Sequence, residues 1–479
     1  MRRILAIAVL LVAPELCCAQ QYTVLDLGSL GGFKKYADAI NSLGQVAGYT
    51  YTLFNAAEHA FRTAANTPIT PASDDLGTLG GTFSQAWGIN DSGQVTGWSY
   101  LAGDSMIHAF RTSATGPINS ATDDLGTLGG STSRAYGIDA LGRVVGGAET
   151  NSGSIHAFRT AANSPINPGT DDLGTLGGTG STANAINASG QVVGAADLSP
   201  GPNGEYTSHA FRTAANHSID FITDDLGTLG GANSTALDIN DSGQVVGWSF
   251  INSSSAYHAF RTAPNSAINP ATDDLGTLGG SLSIAYGVNN SGIVVGVAGV
   301  AGDSPHAFLY SGGVMYDLNE LVPAELGRIL LDATAINDAG QIVVVGLQGG
   351  LEGSQARLFL LTPNSPYKAF VQPPINADGS SVFRVSRGVI PIKFTLTKDD
   401  ALTCNLPAAA ITLTRTEGET IGVVAESSYS MAANPGSNFR ISGCQYLYNL
   451  AAKALGAGAY RVDITISGIV VGTAVFALE

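Results

Sequence analysis

Six of the seven histidines occupy one place in a recurring phrase, His-Ala-Phe. They are His59, His108, His156, His209, His258 and His306. Imidazoles bind metal ions and carry protons near neutral pH, so a set of six raises both possibilities. A metal site needs convergent ligands, and equivalent positions in separate repeats are usually too far apart for one ion. We therefore interpret these histidines as structural residues copied with the repeat, and we expect no metal and no cofactor.

Five of the repeats also share an arginine and a double aspartate. The arginines are Arg62, Arg111, Arg159, Arg212 and Arg261. The first aspartates are Asp74, Asp123, Asp171, Asp224 and Asp273, and the second are Asp75, Asp124, Asp172, Asp225 and Asp274. The arginine and the first aspartate are present and absent together, as cross-strand ion pairs would be. A shared ancestry of these five repeats, which also share a longer insert, explains the joint occurrence as well. We interpret the second aspartates as structural residues of the repeat.

Other short motifs suggest chemistry but lack its context. The Asn-Asp-Ser-Gly segments offer fewer carboxylates than calcium loops do, so we interpret them as turns. Gly103-Asp104-Ser105 and its copy at residues 302–304 resemble fragments of hydrolase motifs without the strand–turn–helix context. We assign no catalytic residue. A functional residue should differ from its counterparts in the other repeats. The residues that differ in this way do not form a recognisable catalytic or binding motif. They are Trp87, Trp98, Trp248, His217 and the loops 198–206 and 250–257.

The elements that would position these residues are short strands repeated about every 49 residues. Asp-Leu-Gly-Thr-Leu-Gly-Gly recurs with its first leucine at Leu76, Leu125, Leu173, Leu226 and Leu275. A phrase of the type Ile-Asn-x-x-Gly, with Asp139 for asparagine in one copy and Val288 for isoleucine in another, follows each copy and marks a hairpin turn between strands. His-Ala-Phe forms a third strand and Asp-Leu-Gly a fourth. Four antiparallel strands per unit, repeated seven times, predict an all-β, seven-bladed β-propeller over residues 20–363.

The order of the phrases predicts how such a ring closes. The chain begins with a lone fourth strand at residues 22–28, and the repeats end with a third strand at residues 358–361. Seven complete units exist only if the N-terminal strand completes the last one. This closure would remove an open sheet edge.

A second domain is expected after a linker at residues 364–369. Residues 370–479 contain segments such as 390–396 and 460–466 that alternate as the strands of a β-sandwich do.

The N-terminus predicts export. Arg2 and Arg3 precede a short apolar run, and a small-residue site ends at Ala19, as in a signal peptide spanning residues 1–19. A lipoprotein anchored through Cys17 or Cys18 is the alternative. We expect a secreted, extracellular or periplasmic protein without a membrane span. Cleavage leaves two of the four cysteines, Cys404 and Cys444, which are expected to form a disulfide.

The three repeated phrases resemble the HAF-repeat family of predicted extracellular bacterial proteins, over residues 22 to about 362. Residues 306–310 look closest to its pattern. The family carries no established activity. Pro391-Ile392-Lys393-Phe394, with the two cysteines and residues 460–478, looks like the PxKF domain. That resemblance covers roughly residues 370–479 and implies an immunoglobulin-like module of accessory role.

These observations favour an exported binding or interaction scaffold over an enzyme, without identifying its ligand. The formal net charge of -16 disfavours binding to nucleic acid phosphates, so polysaccharide or a cell-surface protein are the partners considered. One alternative is a polysaccharide-directed hydrolase or lyase. A pair of carboxylates facing the channel from dissimilar repeats would favour it. The other alternative is a structural surface or matrix protein.

Overall fold

A computed structural model describes residues 22–201, 207–252, 256–323, 327–348, 355–365, 367–376, 380–384, 386, 389–398, 401–404, 407, 409–417, 422–429, 439–451, 455–466 and 469–479. The predicted signal peptide and its cleavage site lie outside these residues. The fold is all-β, as expected. Its strands are numbered β1 to β36 along the chain. A single helical turn, α1 (Pro71–Asp74), and two 3-10 turns, Leu53–Asn55 and Leu318–Glu320, interrupt them among the described residues.

Seven repeats follow one another, each built on three well-formed strands. The first strands are β2 (Gly31–Ile40), β6 (Gly80–Ile89), β9 (Gly129–Ile138), β13 (Gly177–Ile186), β17 (Gly230–Ile239), β20 (Gly279–Val288) and β24 (Arg328–Ile336). The second strands are β3 (Val46–Thr52), β7 (Val95–Leu101), β10 (Val144–Thr150), β14 (Val192–Leu198), β18 (Val245–Ile251), β21 (Val294–Val300) and β25 (Ile342–Gln348). The third strands are β4 (Glu58–Arg62), β8 (Ile107–Arg111), β11 (Ile155–Arg159), β15 (Ser208–Arg212), β19 (Tyr257–Arg261), β22 (Pro305–Ser311) and β26 (Gln355–Pro363).

The fourth strand of each repeat is short. It is β5 (Asp75–Gly77), β12 (Asp172–Gly174), β16 (Asp225–Gly227) or β23 (Val314–Asp317) in repeats 1, 3, 4 and 6. In repeats 2 and 5 it is reduced to the bridges Phe110–Asp124 and Phe260–Asp274. In repeat 7 the place is filled by β1 (Tyr22–Asp26), which pairs antiparallel with β26 from Tyr22 opposite Pro363 to Asp26 opposite Phe359. The N-terminal strand therefore completes the sheet of the last repeat.

The turn between the first two strands repeats in detail. In repeat 2 the Asn90 side-chain oxygen accepts the Gln94 N–H at 3.0 Å, and the Gly93 N–H donates to the Asn90 carbonyl. Gly93 has a φ of +86°, a conformation that glycine adopts without strain. The asparagine side chain thus acts as a brace that holds the hairpin closed.

The same asparagines link the repeats to one another. The Asn90 side-chain N–H donates to the Asp139 carbonyl of repeat 3 at 3.0 Å. Equivalent bonds join repeats 1 to 2, 4 to 5, 5 to 6 and 6 to 7, and Asn337 donates to the Asn41 carbonyl, from repeat 7 back to repeat 1. The step from repeat 3 to repeat 4 lacks the bond, because Asp139 has no side-chain N–H. The first strands contact each other in the same cyclic order, including β24 against β2.

Apolar cores lie between successive repeats. The phenylalanine of each His-Ala-Phe phrase, and its counterpart Phe359 in repeat 7, is fully buried. Phe110 of repeat 2, for example, packs in one cluster with Ala60 of repeat 1. Because each core needs two repeats, a single repeat could not bury its own apolar face.

The remaining strands form a separate pair of sheets. They are β27 (Tyr367–Gln372), β28 (Ser381–Phe383), β29 (Val389–Lys398), β30 (Ala401–Thr403), β31 (Ala409–Glu417), β32 (Gly422–Tyr429), β33 (Phe439–Ser442), β34 (Gln445–Ala451), β35 (Gly458–Ile466) and β36 (Ile469–Leu478). Two five-stranded sheets share one core that includes Phe394, Tyr446 and Phe476. β27 begins within the segment that was predicted to be a linker.

The expected disulfide between Cys404 and Cys444 is present. Within the described part of the chain, no helix is long and apolar enough to cross a membrane.

Candidate binding cavity

A β-bulge interrupts the first strand of every repeat, three residues before the turn asparagine or aspartate. In repeat 2 the register shifts between Ala86 and Gly88, which leaves Trp87 as the extra, unpaired residue. The same shift occurs in the other six repeats. The seven extra residues, called here the bulge residues, are Asp38, Trp87, Tyr136, Asn184, Leu237, Tyr286 and Thr334. Bulges re-aim side chains and are common beside functional sites.

A glycine on the second strand makes the bulge possible. In repeat 5 a Cβ on Gly247 would lie 1.9 Å from the carbonyl oxygen of Thr235, and in repeat 2 a Cβ on Gly97 would lie 1.9 Å from that of Gln85. No side chain fits in that space. The bulge is therefore part of the repeated frame and is built identically whichever residue occupies it.

The bulge residues line one cavity of about 200 Å³. A second cavity, of about 270 Å³, lies beside it and is lined by the turn residues. Five aliphatic side chains line both cavities and so lie between them: Ile40, Ile89, Ile138, Ile186 and Ile336. The first space, called here the bulge cavity, thus has polar and aromatic side chains on its wall and an isoleucine collar at one end.

Two bulge residues in neighbouring repeats leave polar atoms without partners. Within the described chain, Asp38 Oδ2 accepts no hydrogen bond and Trp87 Nε1 donates none, although both atoms are buried. A buried polar atom without a partner costs about 1–3 kcal/mol, so such atoms need an explanation. Burial also raises the pKa of Asp38 to about 7.

The other polar bulge residues bond to neighbouring repeats. Asn184 donates to the Ala236 carbonyl at 2.7 Å, and Thr334 donates to the Ala37 carbonyl at 2.6 Å. These two side chains fix adjacent first strands to each other. Their hydrogen bonds are already made, in contrast to those of Asp38 and Trp87.

The aromatic side chains of repeats 1 to 3 form a connected group. The Trp87 and Tyr136 rings meet edge to face, with centroids 5.6 Å apart, and Tyr49 lies 6.3 Å from Trp87 on its other side. Such packing stabilises the position of the indole on the cavity wall. Tyr286 supplies a further ring on the wall from repeat 6.

A second carboxylate, that of Asp238, lines the bulge cavity from repeat 5. It stands where the other repeats have glycine or alanine. Burial raises its pKa to about 7, although its two oxygens accept the N–H groups of Ile239 and Val288 at 2.8 and 2.9 Å. Asp238 therefore differs from Asp38, because both of its oxygens have protein partners.

The structural histidines pair with aspartates within each repeat. Nδ1 of His59 lies 2.8 Å from Asp75 Oδ1, and this oxygen also accepts the Gly77 N–H at 2.8 Å. The second aspartates of repeats 2 to 5 make the same contacts, and in repeat 6 His306 pairs with Asp317 at 2.6 Å. The six pairs are thus structural braces between the third strand and the chain that follows it.

The expected ion pairs between the arginines and the first aspartates are not found among the described residues. Arg62 instead donates to the Gly93 carbonyl of the next repeat at 2.7 Å, while Asp74 accepts the Thr70 N–H of its own insert at 2.7 Å. The other four arginines also donate to backbone carbonyls of the following repeat. Because the aspartates hold the long inserts and several of the arginines also reach them, the two residue types are lost with the insert.

Of the repeat-breaking residues that the structure describes, only Trp87 lines the bulge cavity. Trp98 lies under Arg134, Trp248 packs against Phe250 and Tyr257, and His217 is exposed. The loops 198–206 and 250–257 extend beyond the described residues. Asp38 and Asp238 were not recognised as candidates in the sequence. Only an alignment of the seven first strands shows that they differ from the residues at the same positions in the other repeats.

No group of three or more histidine, cysteine, aspartate or glutamate side chains in the described ranges is arranged to hold a metal ion. No family model matches the chain, and no curated protein matches it. The site has to be interpreted from its own chemistry.

Proposed function

We propose that this protein is an exported seven-bladed β-propeller that binds a ligand in the bulge cavity. The cyclic contacts of the first strands and the pairing of β1 with β26 support seven blades closed by the N-terminal strand. The predicted signal peptide and the disulfide support export. The two C-terminal sheets are then an accessory immunoglobulin-like module, in keeping with the resemblance to HAF-repeat and PxKF proteins.

One observation carries the binding role. The bulge position is flanked by an invariant alanine on one side and by a glycine or alanine in six of seven repeats on the other. The bulge position itself holds Asp, Trp, Tyr, Asn, Leu, Tyr and Thr. A position with a purely structural role would be copied with its frame. Diverse side chains held on a uniform frame around one cavity are what a specific binding site requires.

A binding assay with a matched pair of variants tests this function. The protein from residue 20 to residue 479 is applied to a panel of immobilised polysaccharides, and soluble products are followed in parallel. We expect retention by at least one polysaccharide, loss of retention in Tyr286→Ala, and retention by Trp248→Ala, whose ring lies outside the cavity. Absence of retention by every polysaccharide would contradict the proposal and favour a structural surface or matrix role.

A polysaccharide-directed hydrolase or lyase is the second candidate, because Asp38 and Asp238 line one cavity from dissimilar repeats. Two carboxylates with different environments are the usual acid and base of glycoside hydrolysis. Asp238, however, already accepts two backbone hydrogen bonds. Because these hydrogen bonds occupy both oxygens of Asp238, ligand binding is better supported than hydrolysis. If the protein releases oligosaccharide, and Asp38→Asn and Asp238→Asn each abolish that release, the hydrolase or lyase becomes the better supported function.

A further inference from the structure

We infer that the bulge cavity recognises a neutral, hydroxyl-bearing ring such as a hexose residue, with Asp38 as the hydrogen-bond acceptor and Trp87 as the donor. This inference rests on the proposed binding function and specifies its ligand. It starts from the two buried polar atoms, Asp38 Oδ2 and Trp87 Nε1, that have no partner within the described chain.

The types of these two atoms restrict the ligand. An indole N–H can only donate, and a carboxylate can only accept when it is ionised, as Asp38 is above about pH 7. An ammonium group would satisfy Asp38 but could accept nothing from Trp87. An anionic ligand would accept from Trp87 but would be repelled by Asp38. A hydroxyl both donates and accepts, so a compound with neighbouring hydroxyls satisfies both residues.

The position of the two residues fits a single ligand. They are the bulge residues of consecutive repeats, and both line the same cavity. Both atoms are shielded from bulk water, so the inferred contacts require each side chain to rotate toward the ligand. Side-chain rotations of this kind are common when ligands and partners bind.

The rest of the wall fits a sugar ring as well. Tyr136 and Tyr286 offer aromatic surface, and the isoleucine collar offers aliphatic surface. Binding sites for small molecules are typically apolar surfaces with a few placed polar groups. A cavity of about 200 Å³ gives room for one hexose ring, such as the terminal residue of a polysaccharide.

The test uses methyl glycosides of neutral hexoses, with glucosamine and methyl glucuronoside as charged comparators. Binding to residues 20–479 is followed by saturation-transfer NMR and by the change in tryptophan fluorescence. Two variants change only the inferred contacts, Asp38→Asn and Trp87→Phe, and two matched controls change residues that do not line the bulge cavity, Asp91→Asn and Trp98→Phe. Thermal unfolding of each variant verifies that it is folded.

We expect at least one neutral glycoside to bind, with roughly tenfold weaker binding in each of the two cavity variants and little change in the controls. Tighter binding of glucosamine or of the glucuronoside would overturn the inferred ligand class, while the cavity would stand as a binding site. Neutral glycosides that bind equally well to Asp38→Asn and Trp87→Phe would overturn the assigned contacts. Absence of binding by every probe would overturn the inference, and polysaccharide retention lost in Tyr286→Ala would still uphold the proposed function.

Discussion

Asp139 and Arg143 form an ion pair, with Arg143 Nε 2.6 Å from Asp139 Oδ2, at the turn positions where five other repeats have asparagine and glutamine. In those repeats the asparagine side chain donates to the glutamine side chain and to a carbonyl of the next repeat. The ion pair keeps the turn closed, but it leaves the link from repeat 3 to repeat 4 unmade.

Asp139 and Arg143 should therefore be replaceable by asparagine and glutamine without loss of stability only when both are changed together. Asp139→Asn alone removes the carboxylate that pairs with Arg143 and should lower the free energy of unfolding by about 1–3 kcal/mol. The double variant Asp139→Asn/Arg143→Gln recreates the turn of repeat 2 and can donate to repeat 4, so it should recover that loss or exceed it. Urea denaturation measures both. A double variant no more stable than the single one would show that the turn does not need a matched pair.

Asp38 is expected to reduce the stability of the free protein at alkaline pH. Burial raises its pKa to about 7, while an unfolded aspartate titrates near pH 4. The raised pKa favours folding when the group is protonated, and this contribution is lost as the pH rises from about 4 to about 7. Tyr49 and Tyr286 are near enough for Asp38 to raise their pKa values, although burial is the larger cause for both.

Asp38→Asn should accordingly raise the melting temperature at pH 8 by a few degrees and have little effect near pH 4. Calorimetry at the two pH values measures the difference. Asp91→Asn, a change at the turn of repeat 2, serves as the control. Equal effects at both pH values would show that the ionisation of Asp38 is not responsible.

The second-strand glycine should be indispensable to the bulge. In Gly247→Ala the new Cβ would lie 1.9 Å from the Thr235 carbonyl oxygen, and both groups belong to paired backbone. We expect a loss of more than about 3 kcal/mol or failure to fold. Gly169→Ala is the control, since its Cβ would meet only a side-chain oxygen at 3.4 Å and should change stability little. A Gly247→Ala protein of normal stability would refute this account of the bulge.

The N-terminal strand should contribute to the whole repeat region. Leu27 follows β1 and is fully buried in a cluster with Phe61 of repeat 1 and Leu360 of repeat 7. Leu27→Ala should cost about 2–5 kcal/mol. Thr23→Ala, at an exposed position of the same strand, should cost less than about 0.5 kcal/mol. Equal stabilities of the two variants would indicate that β1 does not hold repeat 7 to repeat 1.

The histidine–aspartate pairs should make the protein sensitive to acid. Burial alone would raise the pKa of Asp75, but the hydrogen bonds from His59 and the Gly77 N–H outweigh it and hold the pKa below its usual value. The same balance lowers the pKa of Asp124, Asp225 and Asp274. A lowered aspartate pKa stabilises the folded state above about pH 4, and this contribution is lost as the pH falls further.

We expect the melting temperature to drop steeply below about pH 4. In Asp75→Asn the melting temperature at pH 7 should be lower and the drop smaller, because one titrating group is gone. An unchanged pH profile in this variant would assign the acid sensitivity to other carboxylates.

Much of the fold could be predicted because the same pattern of strands and turns occurs in seven copies. The hairpin turns, the third strand and the pairing of the first strand with the last repeat follow from the order of the phrases, and the disulfide follows from the cysteine count. The bulge could not be predicted from one repeat, since Ala86-Trp87-Gly88 has no local sign of an extra residue. An alignment of all seven copies would have shown one variable position between small, nearly constant ones.

The arginines and the first aspartates, for which ion pairing and shared ancestry were both open, show a limit of the same method. Arginine and first aspartate occur together because both serve the insert, and co-occurrence within one ancestry does not imply contact. The co-occurrence of the histidine with the second aspartate is a better predictor of contact. They persist together in repeat 6, at His306 and Asp317, where the insert and the arginine are absent. Residues that remain together when their surroundings change are more reliable partners than residues lost at the same time.

The pairing of β1 with β26 also sets an order of events during biosynthesis. Thr23 and Thr362, which are hydrogen-bonded partners, lie 339 positions apart in the chain. At synthesis rates of about 5–20 residues per second, the first strand waits on the order of 20–70 s before its partner exists. Throughout that time the core around Leu27 lacks its residues from repeat 7, and the edge of β1 is open. The nascent chain therefore has to be kept from aggregating until its last repeat has emerged, and a shorter wait would require fewer repeats.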